Sequence, residues 1–200
     1  MHRIVFTGAQ GTGKTTVLKE FENQGLNVIT EVVRQLAQTG VKINKDGDEE
    51  GQEQIFNAYI EKLKDTDMAG YISDRCLIDV TAYTLYLHKQ GKVSEEFVNK
   101  QIHEMVMFMN ENPDIAYCYF PIEFDVVADG VRDTDEEFRK EIDNNIRILM
   151  TQVLGMQPIV ITGTVEDRVN KVQRIIDWLH EGIMLYAEGA EKLIEVQPEV

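Results

Sequence analysis

Short apolar runs alternate with longer amphipathic stretches along the chain. The runs fall at residues 3–7, 27–30, 71–73, 115–120 and 158–161. They are mostly apolar throughout, as strands buried on both faces of a parallel sheet must be. The stretches between them carry helical spacing, at 15–23, 31–38, 50–64, 79–90, from Ser94 onward, at 134–154 and at 164–180. Residues 50–64 place Ile55, Tyr59, Ile60 and Leu63 on one helix face. Gly25, Gly40, Gly91 and Gly155 stand at the predicted helix ends, where a residue free to turn left-handed closes a helix well. Ser94-Glu95-Glu96-Phe97 reads as a capped helix start with acid in its first turn, and the stretch 134–154 begins Thr134-Asp135-Glu136-Glu137. This alternation predicts an α/β fold: a doubly wound, five-stranded parallel sheet with helices on both faces.

Two segments do not fit that frame. Residues 41–51 are polar with two glycines and read as a surface loop. Residues 124–134 read as a loop entering a charged helix. The pattern weakens after Gly182. The expected organisation is therefore one domain over residues 1–182 and a tail, 183–200, that packs on it or on a partner.

The chemistry begins directly after the first strand. Residues 8–15 read Gly-Ala-Gln-Gly-Thr-Gly-Lys-Thr, a complete GxxxxGK[ST] loop between a strand and a helix. Gly8, Gly11 and Gly13 allow a backbone that turns its N–H groups onto phosphate oxygens. The following helix adds its positive end. Lys14 can reach the β- and γ-phosphates, and the Thr15 hydroxyl can bind Mg²⁺. A plain glycine-rich turn would account for Gly8 or Gly13 alone, but not for Gly13-Lys14-Thr15 in this setting. The expected ligand is a nucleoside triphosphate.

Net charge is −15, from 20 basic and 35 acidic residues. Such a surface repels a nucleic-acid backbone unless basic groups gather in one groove. No apolar run approaches the roughly 20 residues of a membrane span, and the chain enters a strand at once, so neither membrane nor signal peptide is expected. Cys76 and Cys118 sit in or beside predicted strands without CxxC spacing. They read as buried free thiols in a reducing, cytoplasmic setting.

Ligands of open α/β sheets lie beyond the carboxyl ends of the strands. After the second strand comes Glu31, with Arg34 one turn on; after the third, Asp74 and Arg75; after the fourth, Arg132 and Arg139; after the fifth, Gly163 and Thr164. Asp74 can hold Mg²⁺ through its waters or cap the next helix. Arg75 can bind a phosphoryl group or pair with Asp74 or Asp79. Glu31 can orient an acceptor hydroxyl or serve as a first-turn helix carboxylate. Arg132 can bring charge to a γ-phosphate. Arg139, among Asp135, Glu136 and Glu137, reads as part of a solvated face. His2, His88, His103 and His180 are isolated. Tyr83 and Tyr86 read as core; Phe56 and Tyr59 suit either a nucleobase or helix packing.

Together these residues resemble the P-loop nucleoside and nucleotide kinases over most of the chain. Gly8 to Thr16 looks like their phosphate loop. Glu31-Val32-Val33-Arg34 resembles the E-x-x-R of nicotinamide riboside kinase-like proteins, and is similar to the glutamate motif of deoxynucleoside and thymidylate kinases. Asp74-Arg75 through Ala82-Tyr83 looks like the D-R-x-x-x-D/S-x-x-A-Y stretch of the same group. Asp129-Gly130-Val131-Arg132 with its acidic helix resembles their lid, at about 124–140, and Gly163-Thr164 resembles the segment near the adenine. The glutamate motif lacks the proline of thymidylate and deoxynucleoside kinases, and Cys76 stands where they have Ser or Tyr. Both are acceptor-side positions.

The resemblance implies strand order 2-3-1-4-5, a helical lid, and Mg²⁺-ATP as donor. It implies cofactor contacts from Gly8, Gln10, Gly11, Thr12, Gly13, Lys14, Thr15, Thr16, Gly163 and Thr164, with Thr15 and Asp74 at the metal. Lys14, Glu31, Asp74, Arg75 and Arg132 would carry the transfer to a nucleoside or nucleoside monophosphate. A hydroxyl on a polynucleotide, or slow hydrolysis in a partner-coupled switch, are the competing readings.

Overall fold

The computed structural model describes residues 2–64, 70–124 and 135–180. Five strands, β1 (Arg3–Thr7), β2 (Val28–Ile29), β3 (Tyr71–Ser73), β4 (Ile115–Tyr119) and β5 (Ile159–Val160), form one sheet. Their order is β2-β3-β1-β4-β5, with every pairing parallel. β1 is central: Ile4 stands beside Ile72 on one side and Ala116 on the other. The sheet order and the five strands match the sequence expectation, although β2 and β5 pair over only two residues each.

Seven α-helices are described: α1 (Lys14–Asn23), α2 (Val32–Gln38), α3 (Glu49–Lys64), α4 (Leu77–Lys89), α5 (Glu95–Glu111), α6 (Glu136–Ile148) and α7 (Val165–His180). The period of two in β1 divides them between the two faces. Ile4 and Phe6 point to a core completed by Val17, Leu18 and Phe21 of α1 and Val172, Ile175 and Ile176 of α7. Val5 points the other way, into a core supplied by α3, α4, α5 and α6. Two-sided burial is why the strand sequences are apolar without alternation.

Helix boundaries follow local chemistry. Ser94 Oγ accepts the Phe97 N–H at 3.2 Å, as its sequence context predicts. Asp135 caps α6, its Oδ1 accepting from Glu137 at 2.9 Å and Phe138 at 3.2 Å. The predicted 134–154 helix is divided: α6 passes into a π-helical turn at Leu149–Val153. The 41–51 segment is more than a surface loop. It holds a 3₁₀ turn at Asn44–Asp46, Ile43 packs against the core, and α3 already begins at Glu49. Arg132, most of the expected 124–140 lid and the 183–200 tail lie outside the described residues. Among the described residues, no helix is long and apolar enough to cross a membrane.

Candidate active site

The phosphate loop leaves β1 at Gly8 and ends where Gly13 caps α1. Two of its glycines are required by geometry. Gly8 has φ 143°, and a Cβ there would lie 2.4 Å from the Phe120 carbonyl oxygen. Gly13 has φ 88°, and a Cβ there would meet Arg168 at 2.8 Å. Gly8 excludes a side chain twice over, by backbone conformation and by space; Gly13 does so by backbone conformation, with the Arg168 guanidinium close by.

Each carbonyl of the loop's turn is held by a cation. Lys14 Nζ donates to Gly8 O at 2.6 Å and Ala9 O at 2.8 Å. Arg139 Nε donates to Gln10 O at 3.0 Å, and its Nη2 to Gly11 O at 3.3 Å. Arg168 Nη1 donates to Thr12 O at 2.6 Å. In a trans peptide the N–H opposes the C=O. Fixing the carbonyls of residues 10, 11 and 12 on the arginine side therefore turns the N–H groups of Gly11, Thr12 and Gly13 the other way.

The placement of Arg139 corrects the sequence reading. It is not part of a solvated face but 1% exposed, with further bonds to Phe124 O at 2.8 Å and Glu136 at 3.0 Å. Its acidic sequence neighbours masked it: they cap and pair at the helix surface while Arg139 projects inward. Arg168, 2% exposed, was missed as well. It also donates to Gly163 O at 2.9 Å and to Glu123, and lies over the Phe124 ring at 5.1 Å. The available signal was its place in the segment opened by Gly163 and Thr164, which resembles the adenine side of the P-loop kinases.

Asp79 reaches the loop from α4. Its Oδ1 accepts the Gly8 N–H at 3.2 Å, and its Oδ2 accepts the Cys76 N–H at 3.1 Å. Arg75 pairs with the same carboxylate at 3.5 Å and lies over the Tyr83 ring at 5.7 Å. Burial raises the Asp79 pKa above the ordinary carboxylate value, against the pull of Arg75 and Lys14. The sequence reading took Asp79 only as a partner for Arg75; its second task, anchoring the loop, depends on a contact across 71 positions.

Asp74 follows β3, where its N–H donates to Ile29 O. Its Oδ2 accepts the Thr15 hydroxyl at 3.0 Å, while its Oδ1 is buried without a hydrogen-bond partner. A buried carboxylate oxygen left over beside a phosphate-loop threonine fits a hydrated Mg²⁺, which keeps several waters and takes one or two protein ligands. Cys76, not Asp74, caps α4.

A cavity of about 350 Å³ joins these groups. Gln10 to Thr16 of the loop line it. So do α2, the 43–44 turn, α3, α4 and α6, with Tyr59, Tyr83, Gln52 and Phe138 among its walls. Glu31, Asp74, Arg75 and Asp79 line it as well. Glu31 has φ 61°, a left-handed conformation that is costly for a residue with a Cβ, and it pairs with Arg34 at 2.8 Å. Burial pushes the Tyr59 phenol well above its ordinary value, so it stays protonated. Tyr83 donates to Gln10 Oε1 at 3.0 Å, and Gln10 Nε2 is buried without a partner. Gly163 and Thr164 do not line the cavity. They lie at the start of α7, joined to the loop through Arg168.

A phosphate loop at the carboxyl end of a central strand, within a 2-3-1-4-5 parallel sheet, defines a P-loop kinase-type α/β protein. A family model described as an AAA domain matches residues 3–168, and the chain belongs to that family. No curated protein sequence matches it. Among solved structures, deoxyadenosine kinase from M. mycoides, with dCMP and dCDP as products, is similar with a TM-score of 0.66 and 18% identity. That match covers 88% of this chain and 99% of the other. The NadR protein in complex with NR matches with a TM-score of 0.66 and 13% identity, over 90% of this chain but 51% of the longer NadR chain. Thymidylate kinase from Candida albicans matches with a TM-score of 0.59 and 13% identity, over 88% of this chain and 91% of the other. The shared feature is the fold of the P-loop nucleoside and nucleotide kinases.

Proposed function

We propose that this protein is a Mg²⁺- and ATP-dependent kinase that phosphorylates a nucleoside or nucleoside monophosphate. The observation that carries the reading is the cavity itself. It is lined both by Lys14 and Thr15 of the loop and by Glu31 and the rings of Tyr59, Tyr83 and Phe138. A phosphoryl acceptor requires such room beside the loop; a hydrolytic switch does not.

In this reading the N–H groups turned by Arg139 and Arg168, with Lys14, hold the donor's phosphates. Thr15 and Asp74 would hold Mg²⁺, which would supply positive charge to offset that of the donor's phosphates. Gly163, Thr164 and Phe124, around Arg168, form the side on which the adenine rests. Glu31 orients the acceptor oxygen and takes its proton late, since the transition state is loose. Arg75, whose Nη1 is buried 3.5 Å from Asp79 Oδ1 without a hydrogen bond, and Gln10 Nε2, buried without a partner, offer donors to the transferring group. Arg132 completes the neutralisation of the transferring group. The left-handed backbone at Glu31 supports its role, because strain of this kind collects where a side chain must be aimed.

The test is a panel of nucleosides, nucleotides and oligonucleotides with labelled ATP and Mg²⁺. Label should appear on a small acceptor and disappear with Lys14→Ala, which should cost several kcal/mol of transition-state stabilisation. Transfer unchanged by Lys14→Ala overturns the reading. Label on oligonucleotides alone, with steep salt dependence, points to a strand acceptor instead.

A further inference from the structure

We infer that Asn44 reads the polar edge of the acceptor's base, a specificity role that rests on the kinase reading. Among the described residues, two other than glycine hold a left-handed backbone, Glu31 at φ 61° and Asn44 at φ 54°, and both line the same cavity. Asparagine tolerates that conformation better than most residues, so the angle alone marks only a turn. An asparagine that serves a turn commonly bonds its neighbouring backbone through its side chain. Asn44 does not. Its backbone carbonyl accepts the Gly47 N–H at 3.2 Å, while its carboxamide has no hydrogen-bond partner among the described residues.

The backbone around that carboxamide is pinned from several directions. Ile43 packs against the core of α3, α4, α5 and α6. Lys45 Nζ pairs with Asp135 at 2.8 Å and stands 5.1 Å from the centre of the Phe138 ring. The Lys92 ammonium donates to the Lys45 carbonyl. Gly47 is buried so tightly that a Cβ there would lie 2.8 Å from Leu87 and 3.2 Å from both Asn44 O and Gln52 Nε2. A turn fixed in this way sets the position of the Asn44 side chain before any ligand arrives, which lowers the ordering cost of binding.

The other walls of the cavity define what the carboxamide meets. The rings of Tyr59, Tyr83 and Phe138 offer apolar faces to a planar heterocycle. Gln52, 2% exposed, has its Oε1 engaged by the Thr84 hydroxyl at 3.1 Å. The Asn44 carboxamide presents a donor and an acceptor side by side. It therefore matches the adjacent donor and acceptor on the edge of a nucleobase or of a ring-borne amide. A phosphate offers acceptors only, so the full pairing of the amide falls to the base.

The experiment uses Asn44→Gly, which suits the left-handed backbone and removes the carboxamide, and Asn44→Asp, which keeps the shape but replaces the donor by an acceptor. The intact parent and both variants are assayed with Mg²⁺-ATP on the common ribo- and deoxyribonucleosides, nicotinamide riboside, and the 5′-monophosphate of each. Thermal melting and ATP calorimetry run in parallel. Asn44→Gly should melt close to the parent and bind ATP as tightly. Its kcat/KM for the parent's best acceptor should fall about 10- to 100-fold, the scale of hydrogen bonds lost to a buried ligand, and the spread among bases should narrow. Asn44→Asp should change the order of preference among bases. A residue that only forms the turn would move neither the spread nor the order. Folded variants that keep the parent's base preferences overturn this inference and leave the kinase reading standing. No transfer to any of these acceptors by the parent overturns both.

Discussion

Arg139 Nε donates to the carbonyl oxygen of Gln10 at 3.0 Å, fastening α6 to the middle of the phosphate loop. The same guanidinium reaches Gly11 O and Phe124 O, so one planar group sets three backbone carbonyls. Lysine would keep the charge but not the fork. Arg139→Lys should keep the protein folded while raising the KM for ATP more than it lowers kcat. Arg139→Ala should destabilise by on the order of 3 kcal/mol, since several buried carbonyls lose their donors. Steady-state kinetics in ATP with urea denaturation checks both. An unchanged KM for ATP in a folded Arg139→Lys protein would remove the bracing role.

Glu31 sits at φ 61° and serves as N-cap of α2 without a side-chain capping bond. Its pair with Arg34 is well exposed and adds little stability. Glu31→Gly should therefore be at least as stable as the parent, by up to about 1 kcal/mol, because relief of left-handed strain outweighs the added chain entropy. Activity should fall roughly 100-fold, and Glu31→Gln should lose about as much. Thermal melting beside kcat makes the check. A Glu31→Gly protein that melts well below the parent would show that the backbone is not strained there.

Asp79 predicts a pH effect with a definite sign. Burial raises its folded-state pKa, so the folded protein holds that proton to higher pH than the unfolded chain. The stability from this group is complete below the unfolded carboxylate value of about 3.9 and is lost as pH rises through the raised value. Asp79→Asn removes that slope. Its stability relative to the parent should improve as pH rises through the window, measured by urea midpoints from acid to neutral pH. A relative stability that worsens with rising pH would contradict the assignment.

The two thiols should be inert in the native state. Burial pushes Cys118 up to about 12 and raises Cys76 well above its ordinary value, with the Asp79 carboxylate adding to the latter. Neither presents thiolate near neutral pH. Iodoacetamide at pH 8 should label neither until denaturant is added. Rapid native labelling of Cys76 would mean that the start of α4 opens readily.

Much of the fold was legible in local pattern. β1 and β3 have the boundaries that their apolar runs predict, and Ser94 caps its helix as its neighbours require. The phosphate loop was legible because Gly8, Gly13, Lys14 and Thr15 each answer a local demand of backbone geometry or charge. Glu31, Asp74 and Arg75 were legible as polar residues placed after strands, and sequence left Asp74 open between cap and metal. The tertiary structure gives the cap of α4 to Cys76 and sets Asp74 against Thr15 with one oxygen unpartnered, which supports the proposed Mg²⁺ role.

The sequence by itself determined the layer architecture and the phosphate loop, because strand periodicity, helix caps and glycine conformations act over a few residues. Only the tertiary structure decided which buried charges support that loop. Arg139 and Arg168 meet the carbonyls of Gln10 and Thr12 from 129 and 156 positions away, and Asp79 meets Gly8 from 71. No local rule distinguishes such residues from surface charges. The buried carbonyls and N–H groups of the loop demand partners, and the sheet order alone determines which side chains are near enough to supply them.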